Sequence, residues 1–312
     1  MTCPDPIPVA TSSPRYLIII LGPTATGKTA VAVELARELH TEIISADSRQ
    51  FYSEMRIGTA MPAPELLAEI RHHFIGHLTV THEYNVYRFE MEAVERINQL
   101  FTAHSHLVMV GGSGLYIDAV CKGIDELPNP DPLICHSLHE KYESEGIRPL
   151  QEMLKGLDEE YYAVVDKKNP KRLMRAIEVC LATGMKYSEL RLNRQKQRSF
   201  LTVKIGLNLP RHELFERIDK RVDEMIGKGL VDEVRALYRF RRLNALKSLG
   251  YREIIQYLDG HLTLEQAIAR IKTHTHHYAK RQLTWFRRDP EITWFRPEQM
   301  EEIRRFVRGI GG

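Results

Sequence analysis

The chain has only four cysteines in 312 residues, Cys3, Cys121, Cys135 and Cys180, and no two of them form a C-x-x-C pair. That spacing argues against a finger-type zinc site and against a disulfide framework. No apolar run approaches membrane-spanning length, and Met1–Pro14 is rich in Pro, Ser and Thr without the charged-then-apolar order of a secretory signal. The expected location is therefore cytoplasmic. There is no internal repeat, no low-complexity tract and no dominant sign of charge: 44 Lys and Arg against 41 Asp and Glu leave a formal net charge of +3. A pI near 8.6 does not by itself announce a nucleic-acid binder, so the distribution of charge has to decide. With 43% hydrophobic residues at this length, the chain can build one large core or two smaller ones.

The most informative stretch is Gly22-Pro23-Thr24-Ala25-Thr26-Gly27-Lys28-Thr29. It follows the β-branched run Tyr16–Leu21 and leads into Ala30–Leu39, where apolar residues recur at helical spacing. Strand, glycine loop and helix are the context of a phosphate-binding P-loop. The glycines turn backbone N–H groups around an anion, the helix N-terminus adds partial positive charge, and Lys28 adds a full one. Thr29 is placed to reach a magnesium ion.

Glu42–Ser45 reads as a second strand that delivers Asp47 at the sheet edge where ligands sit, although an Asp there also serves as a turn cap. A helix is expected from about Pro64 to Ile70. His72, His73 and His77 lack the spacing of a metal site and read as structural or surface residues. A helix near Arg88–Phe101 precedes a strand ending in Gly111-Gly112-Ser113-Gly114, and three glycines with a serine suggest close approach to a ligand. Prolines at 128, 130 and 132 mark a boundary, and from there to about Arg198 the pattern is helical. The expected organisation is a tail at 1–14, an α/β core at 15–130 and 199–312, and a helical insertion at 131–198.

Lys167, Lys168, Lys171, Arg172 and Arg175 crowd one part of that insertion, the pattern of a solvated face or of a surface for an anionic partner. After a strand near Leu201–Leu209, a helix carries the stripe Leu214, Ile218, Val222 and Met225. Arg217 and Arg221 lie beside it, a phosphate clamp or ordinary surface pairs. Thr263 and Gln266 form a capping box for a helix reaching about Arg288. Its expected core stripe is Ile268, Ile271, Tyr278 and Trp285. A basic stripe runs through Arg270, His274, His277, Arg281 and Arg288, reinforced by Lys272, Lys280 and Arg287. Two basic helices and a P-loop together point to a phosphate-rich macromolecule meeting a small phosphorylated ligand.

From about Leu17 to Phe295 the chain resembles the bacterial tRNA dimethylallyltransferases, also called tRNA isopentenyltransferases. The resemblance is carried by Gly22–Thr29, Ile44–Gln50 with Ile57–Ala60, Val110–Tyr116, Asn169–Val179, Leu249–Arg252 and Ala279–Arg287. It implies an α/β fold with a parallel-rich sheet of P-loop type flanked by helices and an all-helical insertion. The implied activity moves the dimethylallyl group of dimethylallyl diphosphate to the exocyclic N6 of the adenosine 3′ to the tRNA anticodon. Gly22 to Thr29, with Arg221, would hold the donor diphosphate rather than spend ATP, with Mg2+ at Thr29. Asp47, Thr24 and Lys28 would be catalytic. Contacts to tRNA would come from Asp47, Ser48, Arg49, Gln50 and Ser113, from Lys171, Arg172, Leu173, Met174 and Arg175, from Gly250, Tyr251 and Arg252, and from Lys280, Arg281 and Arg287.

Two positions depart from the family pattern: Ser113 stands where Thr is common, and Cys135 where Arg is frequent, which puts one RNA contact in question. No paired cysteines follow residue 288, so the zinc finger of eukaryotic relatives is not expected. The protein is expected to act as a monomer. The competing readings are a P-loop small-molecule kinase or NTPase, and a non-catalytic RNA-binding module switched by a nucleotide.

Overall fold

A computed structural model describes residues 14–129, 131–192 and 194–310. The expected tail at 1–14 lies outside the described residues except for Pro14, and so do Cys3 and Pro130. The chain divides into two compact units, one running to Cys121 and resuming at Arg198, the other spanning Lys122–Gln197.

The first unit opens with β1 (Tyr16–Leu21), α1 (Lys28–Glu38), β2 (Ile43–Ser45), α2 (Pro64–Glu69), β3 (His72–His73), α3 (Val86–Leu100), β4 (His106–Gly111) and α4 (Gly114–Lys122). The second unit holds α5 (Pro132–Glu145), α6 (Arg148–Leu157), α7 (Glu159–Val164), α8 (Pro170–Thr183) and α9 (Tyr187–Leu190). Leu150, Leu154, Leu173, Ala176 and Ile177 form the centre of this helical unit. Asp158 is buried there because its carboxylate is fully employed: it caps α7 through Tyr161 N at 2.9 Å and accepts from Ser188 N at 2.7 Å and Ser188 Oγ at 2.9 Å.

The chain then returns to the first unit with β5 (Leu201–Leu207), α10 (Arg211–Gly227), α11 (Leu230–Leu237), α12 (Tyr251–Leu258), α13 (Leu264–Phe286), β6 (Ile292–Phe295) and α14 (Met300–Arg308). The six strands form one parallel sheet in the order β3-β2-β4-β1-β5-β6. Leu17 to Ile20 have no exposed surface because β1 lies centrally and both faces are covered. Leu17, Ile19 and Leu21 pack with Phe89, Ile97 and Phe286 on one face. Ile18 and Ile20 pack with Val31, Leu35, Ile303 and Val307 on the other. A parallel sheet puts all strand C-termini on one edge, so the segments after β1, β2 and β4 converge there.

Six elements escape the sequence reading: β3, α4, α11, α12, β6 and α14. His73 is buried in β3 with Nε2 2.6 Å from Glu42 Oε2, an acid that immediately precedes the neighbouring strand β2. The capping box of α13 is present in both directions. The core stripe of that helix, however, is Ala267, Ile271, Ala279, Gln282 and Phe286. Ala279 and Gln282 face inward where α13 lies against a glycine loop, Trp285 packs over Gly114 at the edge of the core, and Tyr278 lines a cavity instead.

Candidate active site

Gly22 has a φ of 141°, and a Cβ there would stand 2.3 Å from Leu207 O of β5, so the chain turns only as glycine. Gly27, at φ 85°, opens α1 without a side-chain cap, which leaves the first-turn N–H groups facing outward for an anion. Inside the loop, Thr26 Oγ1 donates to Pro23 O at 2.9 Å and Lys28 Nζ to the same oxygen at 2.6 Å. Burial pushes the Lys28 ammonium down to about 8, with Asp47 opposing the shift and Arg221 adding to it.

A cavity of about 160 Å3 opens from this loop and is lined by Thr24, Lys28, Thr29, Asp47, Arg49, Arg221, Tyr278 and Gln282, among others. Asp47 Oδ1 accepts from Arg49 N at 3.1 Å, so the residue caps its own turn and also faces the cavity. Arg221 donates to Thr24 Oγ1 at 3.2 Å, and burial, then Arg49, lowers its pKa from the usual arginine value. Ser113 Oγ lies 3.1 Å from Ser48 Oγ and accepts from Ser48 N at 3.2 Å. Tyr278 lines the cavity rather than the core; burial, then the Asp47 charge, pushes its phenol up to about 12.

Two supporting residues were not singled out in the sequence. Gln282 accepts from Thr24 N at 2.9 Å and donates to Gly112 O at 2.7 Å, tying the P-loop to the second glycine loop. Those glycines make room for neighbouring groups, and Gly111 and Gly112 also line the cavity, where close approach of a ligand was expected. A Cβ on Gly112 would meet Gln282 Nε2 at 2.4 Å, one on Gly114 would meet Trp285 Cδ1 at 2.4 Å, and one on Gly111 would meet Ala46 O at 2.4 Å. Glu233, on α11, accepts from the backbone N–H groups of Arg56, Ile57 and Gly58 at 2.8–3.0 Å and from Tyr251 Oη at 2.6 Å. The only available signal for Gln282 was an amide on an inward helical face, and Glu233 had none.

Several residues expected to touch tRNA have other work. Gln50 is buried and donates to Thr59 O at 3.2 Å and Ala60 O at 3.1 Å, bracing the cavity wall. Arg49 donates to Gly58 O at 3.0 Å and to Leu249 O. Tyr251 is fully buried against Gly58, and Gly250 is the N-cap of α12. Leu173 and Met174 belong to the core of the helical unit, which corrects their assignment as contacts. Lys171 and Arg172 are exposed, while Arg175 is half-buried and donates to Pro128 O at 2.8 Å. Cys135 donates to Glu178 Oε1 at 3.2 Å, and burial, then that carboxylate, pushes its thiol up to about 11.

Arg252 is spent on Glu253 and His274. Arg217 pairs with Glu298 at 3.0 Å rather than joining Arg221 in a clamp. Neighbours also neutralise the early part of the α13 basic stripe, with Lys272 on Asp223 and His274 on Glu253. Lys280, Arg281 and Arg287 remain exposed on its later turns.

The sequence matches the family described as IPP transferase over residues 50–289. The tRNA dimethylallyltransferase 1 of Bacteroides thetaiotaomicron is 47% identical over 292 residues, covering 94% of this chain and 95% of that protein. The tRNA dimethylallyltransferase of Christiangramia forsetii is 49% identical over 281 residues, covering 90% and 93%. Among solved structures, the full-length tRNA isopentenylpyrophosphate transferase from Bacillus halodurans aligns with a TM-score of 0.69 at 35% identity, covering 95% of this chain and 96% of that one. A P-loop opening onto a carboxylate-bearing cavity, in a chain matched along nine-tenths of its length by such relatives, belongs to the IPP transferase family.

Proposed function

We propose that this protein transfers the dimethylallyl group of dimethylallyl diphosphate to the exocyclic N6 of the adenosine 3′ to the anticodon of tRNA, releasing diphosphate. The observation that carries the reading is the single cavity in which Lys28, Arg221 and the P-loop face Asp47. The adenine amine is a weak nucleophile because its lone pair is delocalised into the ring. Its attack on C1 of the donor forms the N6–C1 bond as the C1–O bond to diphosphate breaks. Asp47 takes the proton that N6 must lose. Lys28, Arg221 and the α1 N-terminus stabilise the leaving diphosphate, and Thr24 helps align the reactants. The acceptor base has to leave its stack to enter a cavity of this kind.

Magnesium fits the donor set. Thr29 lines the cavity, and among the described residues no group of three or more His, Cys, Asp or Glu forms a cage. An ion held by one hydroxyl, diphosphate oxygens and water is the habit of Mg2+, and it would add charge to oppose that of the leaving group.

Lys171, Arg172, Lys280, Arg281 and Arg287 are the exposed cations we assign to the tRNA backbone. The helical unit at Lys122–Gln197 is assigned as an RNA-contacting insertion. Among the described residues no helix is long and apolar enough to cross a membrane. We assign the enzyme to the cytoplasm, acting as a monomer.

The test is incubation of the purified protein with unmodified tRNA, magnesium and radiolabelled dimethylallyl diphosphate, with ATP in a parallel reaction. Label in tRNA without ATP is the expected result. Steady ATP hydrolysis with no transfer would turn the assignment to a P-loop kinase or NTPase.

A further inference from the structure

The cavity changes character along its length. On α13 it is lined by Gln282, Tyr278, Thr275 and Ile271, one helical face about 16 Å long at ~1.5 Å per residue. Gln282 bonds the P-loop at one end, whereas Ile271 at the other belongs to an apolar cluster with Val222, Leu230 and Val234. α10 repeats the gradient, with Arg221 reaching Thr24 and Met225 one turn further on. A diphosphate at the P-loop therefore directs its hydrocarbon toward Val222, Met225 and Ile271.

Those three walls are not equivalent. Val222 and Ile271 are buried and backed by the packed cluster. Met225 is half-buried and lines a second, outer cavity of about 490 Å3 bounded by Arg56, Lys220 and Lys228. The residues common to both cavities are Ala25, Ala60, Arg221 and Met225, and Met225 alone among them is a large apolar side chain. The inner cavity, at about 160 Å3, is well below the ~300 Å3 at which pockets for drug-sized ligands begin.

We infer that Met225 is the partition that sets donor chain length, holding it to five carbons. The inference rests on the dimethylallyl-transfer reading above. A ten-carbon donor needs room that the core-backed walls do not yield and that truncation of Met225 supplies by joining the two cavities. An unbranched, flexible side chain is a thin wall of this type.

The experiment measures transfer to tRNA from dimethylallyl and geranyl diphosphate by wild type, Met225→Ala and Met225→Val, with products resolved by mass spectrometry of the digested nucleosides. Wild type should favour the five-carbon donor by more than about a hundredfold in kcat/KM, since steric mismatch by even one methylene is worth ~10–200-fold. Met225→Ala should raise the ten-carbon to five-carbon ratio by at least about tenfold, with Met225→Val between the two. A ratio unchanged in both folded variants, or efficient geranyl transfer by wild type, would overturn the assignment. Absence of five-carbon transfer by wild type would instead remove the transferase reading itself.

Discussion

Lys28 imposes a pH limit on donor binding. Its ammonium titrates at about 8 against 10.5 for an ordinary lysine, because burial removes its water faster than Asp47 compensates. That displacement corresponds to roughly 3 kcal/mol. The folded value lies below the unfolded one, so the unfolded chain holds the extra proton between about pH 8 and 10.5, and folding stability rises with pH across that window. Donor affinity moves the opposite way, since the diphosphate needs the ammonium. At pH 9 only about one free molecule in ten carries that charge, and the apparent Kd for dimethylallyl diphosphate should be about tenfold weaker than at pH 7. Equilibrium dialysis with labelled donor at fixed magnesium, from pH 7 to 9.5, measures this directly. Lys28→Met should bind about 10- to 100-fold more weakly at pH 7, the loss of one charged hydrogen bond, and should show no such decline. Wild-type affinity level to pH 9.5, or the same slope in Lys28→Met, would refute the reasoning.

Three further outcomes are expected. Asp47→Asn should lower single-turnover transfer by roughly two to four orders of magnitude while donor and tRNA affinities change little; unchanged turnover would remove Asp47 from the chemistry. Gln282→Leu should leave Gly112 C=O buried and unpaired and Thr24 N–H without its partner at the cavity, costing about 1–3 kcal/mol in urea denaturation and raising the donor KM; a loss below ~0.5 kcal/mol would show the bridge to be dispensable. Lys171→Ala with Arg172→Ala should weaken tRNA binding and flatten the log K against log salt plot by about 2, whereas Leu173→Ala should cost ~2–5 kcal/mol of stability. Equal salt slopes in the double variant and wild type would return that surface to solvent.

The P-loop and its flanking strand were legible because a buried parallel strand, a glycine turn and a helix each leave a local signature. Asp47 was legible as a strand-end residue for the same reason. β3 has two residues and no periodicity to detect, and the acid that holds His73, Glu42, comes from the residue just before β2. The glycines at 111, 112 and 114 were visible, but their cause was not: they admit Ala46, Gln282 and Trp285, contacts made across the fold. In the motif carrying Lys171 to Arg175, the resemblance marked five consecutive positions alike. The helix turns Leu173 and Met174 inward and Lys171 and Arg172 outward, a distinction set by the 3.6-residue period.

The Gln282 bridge also has a consequence for how the protein is made. The side chain that holds Thr24 in place is translated about 250 residues after the phosphate loop. A nascent chain translated as far as α12 carries the complete Gly22–Thr29 motif without the helix that braces it. At ~5–20 residues per second, the interval between the two is on the order of 10 to 50 seconds. During that time the Gln282 bridge to Thr24 cannot form, and it is made only once α13 docks. Synthesis through α13 is thus built into the timing of the catalytic centre.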